Sequence, residues 1–293
     1  MSGLTIAIQN ARAACVGISD SMSKLKTMAG INTAVTGVGT VSSGVALGAG
    51  IVKSKVDKTI ESWESALNDM IKKQQELKVK FIRINLDDVE KSLDKQVNAT
   101  DALQSDIAMA TDASKKLGNI RTGTLAGTAV LDMAGTIIAA NNKVDDDLQG
   151  LVDNCIKSIK NLQNEQIRAR TENTASVEEL QKSEKIIANC RDWEYLDLSK
   201  INKRATGAAV SGGVSAVLAL TGTITSASAN SDSVRSDNSD AGKQKEKNLN
   251  TASNVMAGGA TAASGVATVF NATQISAIKK AVNVADKCEE ALR

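Results

Sequence analysis

The segment Ala205–Ser231, with the sequence ATGAAVSGGVSAVLALTGTITSASANS, decides the fold class of this chain. None of its 27 residues is charged. Thr and Val are typical of strands, but a strand alternates every two residues, whereas a spacing of four and three predicts a helix. Small side chains follow that spacing at Ala208, Gly212, Ser215, Ala219, Gly222 and Ser226. A neighbouring face holds Val210, Val214, Val217 and Ile224.

Three further segments have the same character: Thr27–Val52, Thr122–Asn142 and Asn248–Ile278, uncharged apart from Asp132. In the first of them the spacing predicts a small face at Thr33, Gly37, Thr40, Gly44 and Gly48. Similar tripeptides lie at or near the start of the four segments, at irregular intervals, which indicates a degenerate repeated unit rather than a solenoid. These are Ile31-Asn32-Thr33, Ile120-Arg121-Thr122, Ile201-Asn202-Lys203 and Leu249-Asn250-Thr251.

Glycine makes these helices weak by themselves, at about 1 kcal/mol for each glycine relative to alanine. The small faces therefore need close partners, either in a tightly packed soluble bundle or in a membrane, where small-xxx-small interfaces are common. The candidate helix-packing or membrane positions are Gly37, Gly44, Gly48, Gly127, Gly212, Gly222, Gly258 and Gly265.

The sequence has features that favour membrane insertion and features that oppose it. The segments are long enough to span a bilayer, which needs about 20 apolar residues. Against this, Ser, Thr and Gly dilute the apolar content, Asn254, Asn271 and Gln274 interrupt the fourth segment, and Asp132 would cost roughly 2.5–3.5 kcal/mol near a bilayer centre. Aromatic residues do not flank the segments as an interfacial belt. A soluble core and a membrane span both remain open.

Polar amphipathic stretches separate these segments. Residues 54–117 carry one apolar stripe that loses phase at Asn85–Asp88, where Asp87 and Glu90 form a possible capping box. This predicts an antiparallel hairpin of arms 56–84 and 89–117, ending at Gly118; a continuous helix is the alternative. A second coiled pair follows, with a capping box at Ser176 and Glu179.

Composition argues against most catalytic chemistry. The chain has no His, which removes the commonest general base and the commonest metal ligand. It has no Pro, which favours long helices, and its 35 basic and 33 acidic residues form no basic patch. We therefore expect no enzyme activity, no cofactor, no metal and no nucleic-acid partner. No site for a small-molecule substrate is evident either.

Four cysteines, Cys15, Cys155, Cys190 and Cys288, lie far apart and form no CxxC pair. Small buried apolar residues are the simplest interpretation, and a Cys155–Cys190 disulfide across a hairpin is the alternative. The N-terminus has no basic stretch before its apolar part, and Arg12 interrupts it, so no signal peptide is expected. That leaves a cytoplasmic protein by default, or secretion without a leader.

The expected fold is all-α, an elongated helical bundle of coiled-coil hairpins with Gly/Ala/Ser/Thr-rich apolar helices. Three regions are expected: 1–119, 120–200 and 201–293, the last a helical hairpin with a polar tip at 226–248. The expected function is non-enzymatic association with a membrane or a partner through these hairpins. The arrangement is analogous to α-helical pore formers and hydrophobic translocators, without a motif specific to either. The alternative is a soluble structural or filament subunit. The expected partners are further copies of the chain and the lipid bilayer.

Overall fold

The computed structural model describes residues 2–80 and 86–293, without the side chains of 63, 66–67, 69–80, 86–103 and 106. Every regular element in this part of the chain is helical, which confirms the all-α prediction. All four small-residue segments are helical as well, so the strand reading of their Thr and Val content is excluded. The α-helices are α1 (Gly3–Cys15), α2 (Ile18–Lys80), α3 (Leu86–Asn141), α4 (Asp146–Glu172), α5 (Val177–Cys190), α6 (Ser199–Ala229), α7 (Asp232–Arg235) and α8 (Asp240–Leu292), with a 3-10 helix at Arg191–Tyr195.

Helices α2 and α3 form the hairpin that the sequence predicts. The Ser114 hydroxyl donates to a carboxylate oxygen of Asp57 at 2.5 Å, although the two residues are 57 positions apart. A continuous helix would separate them by about 85 Å at 1.5 Å per residue, so the single-rod alternative is wrong. Part of the predicted turn, Asn85, lies outside the described residues. Helix α3 already includes Asp87, so Asp87 does not precede the helix as a capping residue would.

The predicted helix end at Gly118 is wrong, because α3 continues through it to Asn141. At Gly118 the absence of a side chain instead allows close contact with another segment. A Cβ atom at this position would lie 2.2 Å from the side-chain oxygen of Asn230, so the missing side chain makes room for Asn230. Charged and small-residue segments are thus parts of the same long helices rather than separate ones.

Helices α6 and α8 are connected by a shorter tip than predicted. The regular helix of α6 extends to Ala229 and α8 begins at Asp240, with only the single turn of α7 between them. Ser226, which is predicted to begin the polar tip, is instead fully buried in α6.

Two compact units make up the molecule. The first unit comprises Met1–Thr40, Val130–Ala216 and Ala262–Arg293. The second comprises Val41–Ala129 and Val217–Thr261. The predicted three-part division of the sequence describes the character of segments and stays a prediction.

A conventional apolar core lies in the first unit, among α1, α4, α5 and the ends of α2, α6 and α8. We call it the cystine core. Its largest fully buried side chains include Trp193, Leu4, Leu162 and Ile186. Disulfides join Cys15 to Cys155 and Cys190 to Cys288 within it. All four cysteines are buried as predicted, but the Cys155–Cys190 pairing is wrong, as is the interpretation of free thiols.

Hydrogen bonds at helix ends hold the cystine core together. The capping box of Ser176 and Glu179 at α5 is present as predicted. Glu179 also accepts from the Ser2 hydroxyl at 2.6 Å and from the Thr5 hydroxyl, which ties the start of α1 to α5. Together these donors lower the pKa of Glu179 to about 2. Gly17 has a positive φ of 93° between α1 and α2, a conformation that suits glycine.

Threonines in the long helices bond to their own backbone. Their hydroxyls donate to the carbonyl oxygen four residues earlier, as Thr33 does to Ala29 at 2.8 Å and Thr223 does to Ala219 at 2.8 Å. The same bond satisfies the hydroxyls of Thr128, Thr136, Thr221 and Thr261. Such bonds let a polar β-branched residue occupy a helix without seeking another partner.

Candidate functional site: polar interiors under apolar exteriors

In the first unit, four helices bury small and polar side chains. The buried residues on these faces are Asn32, Thr36 and Gly39 of α2, Asp132 and Gly135 of α3, Ala208, Gly212 and Ser215 of α6, and Ser264, Asn271 and Gln274 of α8. We call this set the Asp132 core. It contains no large apolar side chain, so little of its stability in water can come from the hydrophobic effect.

The outward faces of the same stretches are apolar. Nine large apolar side chains there are between 42% and 68% exposed: Ile31, Val38, Val130, Met133, Ile137, Val210, Val214, Val266 and Val269. Soluble proteins normally place such side chains inside and the serines and asparagines outside. The arrangement in this part of the first unit is therefore inverted.

The Asp132 core is connected by hydrogen bonds between side chains. Ser215 and Ser264 both bond to the Asp132 carboxyl group, Ser264 at 3.0 Å. The Asn32 amide donates to Asn271 at 2.8 Å, and Asn271 donates to Thr36 at 3.2 Å. These contacts join residues more than 80 positions apart, so the polar side chains fix which helix faces meet.

The second unit, considered by itself, repeats the inversion. Its buried positions include Ser43, Ala46, Lys53, Ser114, Arg121, Ser226, Asn250 and Ser253. Its exposed positions include Val41, Val45, Ile51, Ile120, Val217, Ile224 and Val255. Among the described residues of this unit, buried apolar side chains form a small cluster of Leu125 with surrounding alanines.

Among the described residues of the second unit, two cations are buried, Lys53 and Arg121. Lys53 lies 2.7 Å from Asp57 and 3.3 Å from Glu246, so it is neutralised by two carboxylates. The Arg121 guanidinium donates to Ser226 at 2.9 Å, to Asn254 at 3.1 Å and to Asn250 at 2.7 Å. Each cation is fully buried, and each of its side-chain nitrogens has at least one partner.

Residues that counted against a membrane in the sequence are buried, apart from Asn254, which is half-buried. Asn271 and Gln274 are buried, Gln274 donates to the Asn142 carbonyl at 2.7 Å, and Asn254 accepts from Arg121. Asp132 is buried as well. Mean hydropathy averages over all faces of a helix. It therefore understates how apolar the outer faces of these helices are.

The eight candidate glycines divide into two groups. At Gly212 a Cβ atom would lie 2.8 Å from the Thr136 hydroxyl, and at Gly222 it would lie 3.1 Å from Leu125. Gly127 and Gly265 have neighbours at 3.8 and 4.0 Å. The other four have no neighbour within 4 Å of such an atom, so they do not lie at close helix contacts in the described chain: Gly37, Gly44, Gly48 and Gly258.

The register of the predicted small faces is correct in α6 and displaced in α2. All six small positions predicted in α6 are buried. In α2 the buried positions are Asn32, Thr36, Gly39 and Ser43, one residue earlier than predicted, and Ala46, two residues before the predicted Gly48. The middle residues of the tripeptides indicate the observed register. Three of the four middle residues, Asn32, Arg121 and Asn250, are buried and bond to other helices.

Metal binding has little support among the described residues. The sulfurs of Cys15, Cys155 and Cys288 lie within 4.8 Å of one another, but all three belong to disulfides and offer no thiolate. Three helical stretches have the length and apolar composition to cross a membrane: Gly3–Ser62, Ile107–Glu172 and Ser199–Ala229. Comparison with known proteins gives no match: no family model fits the chain, and no similar curated protein or solved structure was found.

Proposed function

We propose that this chain is a non-enzymatic helical protein that embeds in a lipid bilayer through the small-residue parts of α2, α3, α6 and α8. One observation carries the proposal: these parts bury serine, asparagine and charged side chains and expose valine and isoleucine. Lipid is the solvent that suits such a surface, since it accepts apolar side chains and rejects polar ones.

The energetic argument concerns the outer surface. Fully burying a Val or Ile side chain is worth about 1.5–3 kcal/mol relative to exposing it. The nine half-exposed apolar side chains of the first unit thus forgo on the order of 10 kcal/mol in water, which contact with acyl chains would recover. A large exposed apolar surface usually marks a site of contact with a membrane or with another protein.

The interior fits the same environment. Between helices in lipid, association depends on close packing of small residues and on hydrogen bonds rather than on apolar burial. Gly212 and Gly222 provide close approach, and the Ser215–Asp132 and Arg121–Asn250 bonds provide the polar contacts. Both units supply these elements separately.

Liposome flotation of the full chain tests the proposal. We expect the protein to float with phosphatidylcholine vesicles, at neutral pH or after mild acidification, and to resist extraction by high salt. A matched pair of variants locates the contact: Val210→Asp on the outer face of α6, and Ile167→Asp on α4, whose side chains are 61% and 58% exposed.

Placing a charge at a lipid-facing site costs roughly 2.5–3.5 kcal/mol, so Val210→Asp should reduce flotation many-fold. Ile167→Asp should leave it unchanged, because α4 belongs to the cystine core. Equal flotation of both variants would show that the outer face of α6 does not meet lipid.

A soluble self-assembling subunit is the second candidate, and the same exposed faces favour it, since a second copy could cover them. Light scattering without lipid distinguishes the two. A chain that never floats, forms a defined oligomer, and dissociates on Val210→Asp but not on Ile167→Asp would establish assembly in place of membrane embedding.

A further inference from the structure

Asp132 occupies the point where four helices of the first unit meet. It belongs to α3, while Thr36, Gly39 and Thr40 reach it or its partners from α2, Ser215 from α6 and Ser264 from α8. Its side chain is fully buried. It is the one carboxylic acid among the buried residues of the described chain.

No cation of the described chain balances this carboxyl group. None of the ion pairs among the described residues includes Asp132, and the groups that interact with it are the hydroxyls of Ser215 and Ser264. The facing helices present Gly39, Thr36 and Thr40 from α2, Ser215 from α6 and Ser264 from α8, none of which titrates in water. A buried carboxylate without a counter-charge costs several kcal/mol, and such a group usually takes up a proton.

The oxygen contacts around Ser264 outnumber the hydroxyl protons that can fill them. The Ser264 hydroxyl lies 3.1 Å from the Thr36 carbonyl oxygen and 3.0 Å from an Asp132 oxygen, and the Thr40 hydroxyl lies 2.9 Å from the same carbonyl oxygen and 3.0 Å from Ser264. Each hydroxyl carries one proton, so the two hydroxyls can fill only two of these four contacts. A hydrogen on Asp132 fills a third, the contact between Asp132 and Ser264.

Two neighbouring helices approach the Asp132 carboxyl group closely at glycine positions. A Cβ atom on Gly39 would lie 2.5 Å from the same Asp132 oxygen that meets Ser264, and one on Gly212 would lie 3.5 Å from the Asp132 carbonyl. The two glycines let α2 and α6 close on α3 at this level. The carboxyl group is thereby held against its hydroxyl partners.

We propose that Asp132 is a proton-binding site in the interior of the first unit and holds its proton at neutral pH. The acid donates to the Ser264 oxygen, Ser264 donates to the Thr36 carbonyl, and Ser215 donates to the other Asp132 oxygen. The proton comes from solvent, and no bond other than O–H forms or breaks. The inference concerns the interior, so it holds whether lipid or another copy covers the outer faces.

Infrared spectroscopy of the full chain with isotope-labelled aspartate tests the proposal directly. A protonated carboxylic acid has a carbonyl stretch that is well separated from carboxylate bands. At neutral pH we expect such a band from Asp132. The band should be absent in Asp132→Asn, whose amide can donate to Ser264 and accept from Ser215 and so preserves the fold.

Two further arms make the result decisive. Ser264→Ala removes the acceptor of the proton and should shift the band, whereas Ser276→Ala, at an exposed site on the same helix, should not. A wild-type spectrum without the band at neutral pH would overturn the proposal. So would a band that vanishes when sodium replaces choline at constant ionic strength, since a metal cation would then occupy the site.

Discussion

The first unit contains two interiors, the cystine core and the Asp132 core, which bury different kinds of side chain. The cystine core buries Trp193, leucines and isoleucines and is covalently closed by two disulfides, as in a small exported domain. The Asp132 core buries alanine, glycine, serine, asparagine and one acid, and leaves valines outside. The first interior is packed from large apolar side chains, whereas the second is joined by hydrogen bonds between polar side chains and lies under exposed apolar faces. The two interiors thus distribute polar and apolar side chains in opposite ways.

Removing the Cys15–Cys155 disulfide should have the largest effect on this comparison. The bond closes a loop of 140 residues, and in the chain-entropy account its loss costs about 5 kcal/mol. We expect the Cys15→Ala, Cys155→Ala variant to unfold at much lower urea, as reported by Trp193 fluorescence in a Trp63→Phe background. An unchanged midpoint would mean that the cystine core does not depend on its covalent closure.

Replacing Arg121 should show that the interior of the second unit is polar by necessity. Arg121→Met removes three hydrogen bonds and leaves Asn250, Asn254 and Ser226 without their donor, at a cost of about 3 kcal/mol or more. Arg168→Met is the control, because that side chain is 64% exposed in its surface ion pairs. Equal unfolding free energies for the two variants would contradict a required polar interior.

Enlarging a glycine should separate packed from open positions. Gly212→Leu overpacks against Thr136 and should cost about 1–3 kcal/mol. Gly44→Leu meets no neighbour within 4 Å of its Cβ and replaces a poor helix former, so it should be neutral or stabilising by up to ~1 kcal/mol. Thermal unfolding measures both. A loss of stability at Gly44 equal to that at Gly212 would show that Gly44 also packs against a partner.

The smallest effect concerns the acid sensitivity of the cystine core. Since the folded pKa of Glu179 is lowered to about 2, its bonds to Ser2, Thr5 and Ser176 stabilise the fold above the unfolded pKa, about 4.3. That contribution disappears as the pH falls from about 5 towards 2. The melting temperatures of wild type and Glu179→Gln should differ at pH 6 and converge near pH 2. A constant difference over this range would assign the effect to something other than ionisation.

Much of the fold could be predicted from spacing alone. The small face of α6 was predicted at the correct six positions, because small and β-branched residues there occupy different faces. The α2 face was displaced by one or two residues, since small side chains occur on both of its faces and the choice depends on contacts with other helices, such as the Asn32–Asn271 bond. The helix end at Gly118 failed for a related reason: its glycine serves a tertiary contact with Asn230.

The candidate site was less accessible from the sequence. Asp132 looked like a cost to membrane burial, because its partners Ser215 and Ser264 come from helices more than 80 residues away. Disulfide pairing failed in the same way, since periodicity shows which cysteines face inward but not which helices meet. Directions along one helix can be predicted from sequence, whereas partners between helices depend on the tertiary fold.

The threonine bonds within the long helices affect how such sequences can diverge. A hydroxyl that donates to its own helix, as Thr221 does to Val217 at 2.9 Å, presents mainly its methyl group to the surroundings. Exchange of threonine for valine at these positions therefore alters the calculated hydropathy while the outward chemistry stays nearly the same. Related chains could therefore differ in calculated hydropathy, some with values typical of soluble proteins and others with values typical of membrane proteins. All of them could still reside in the same environment.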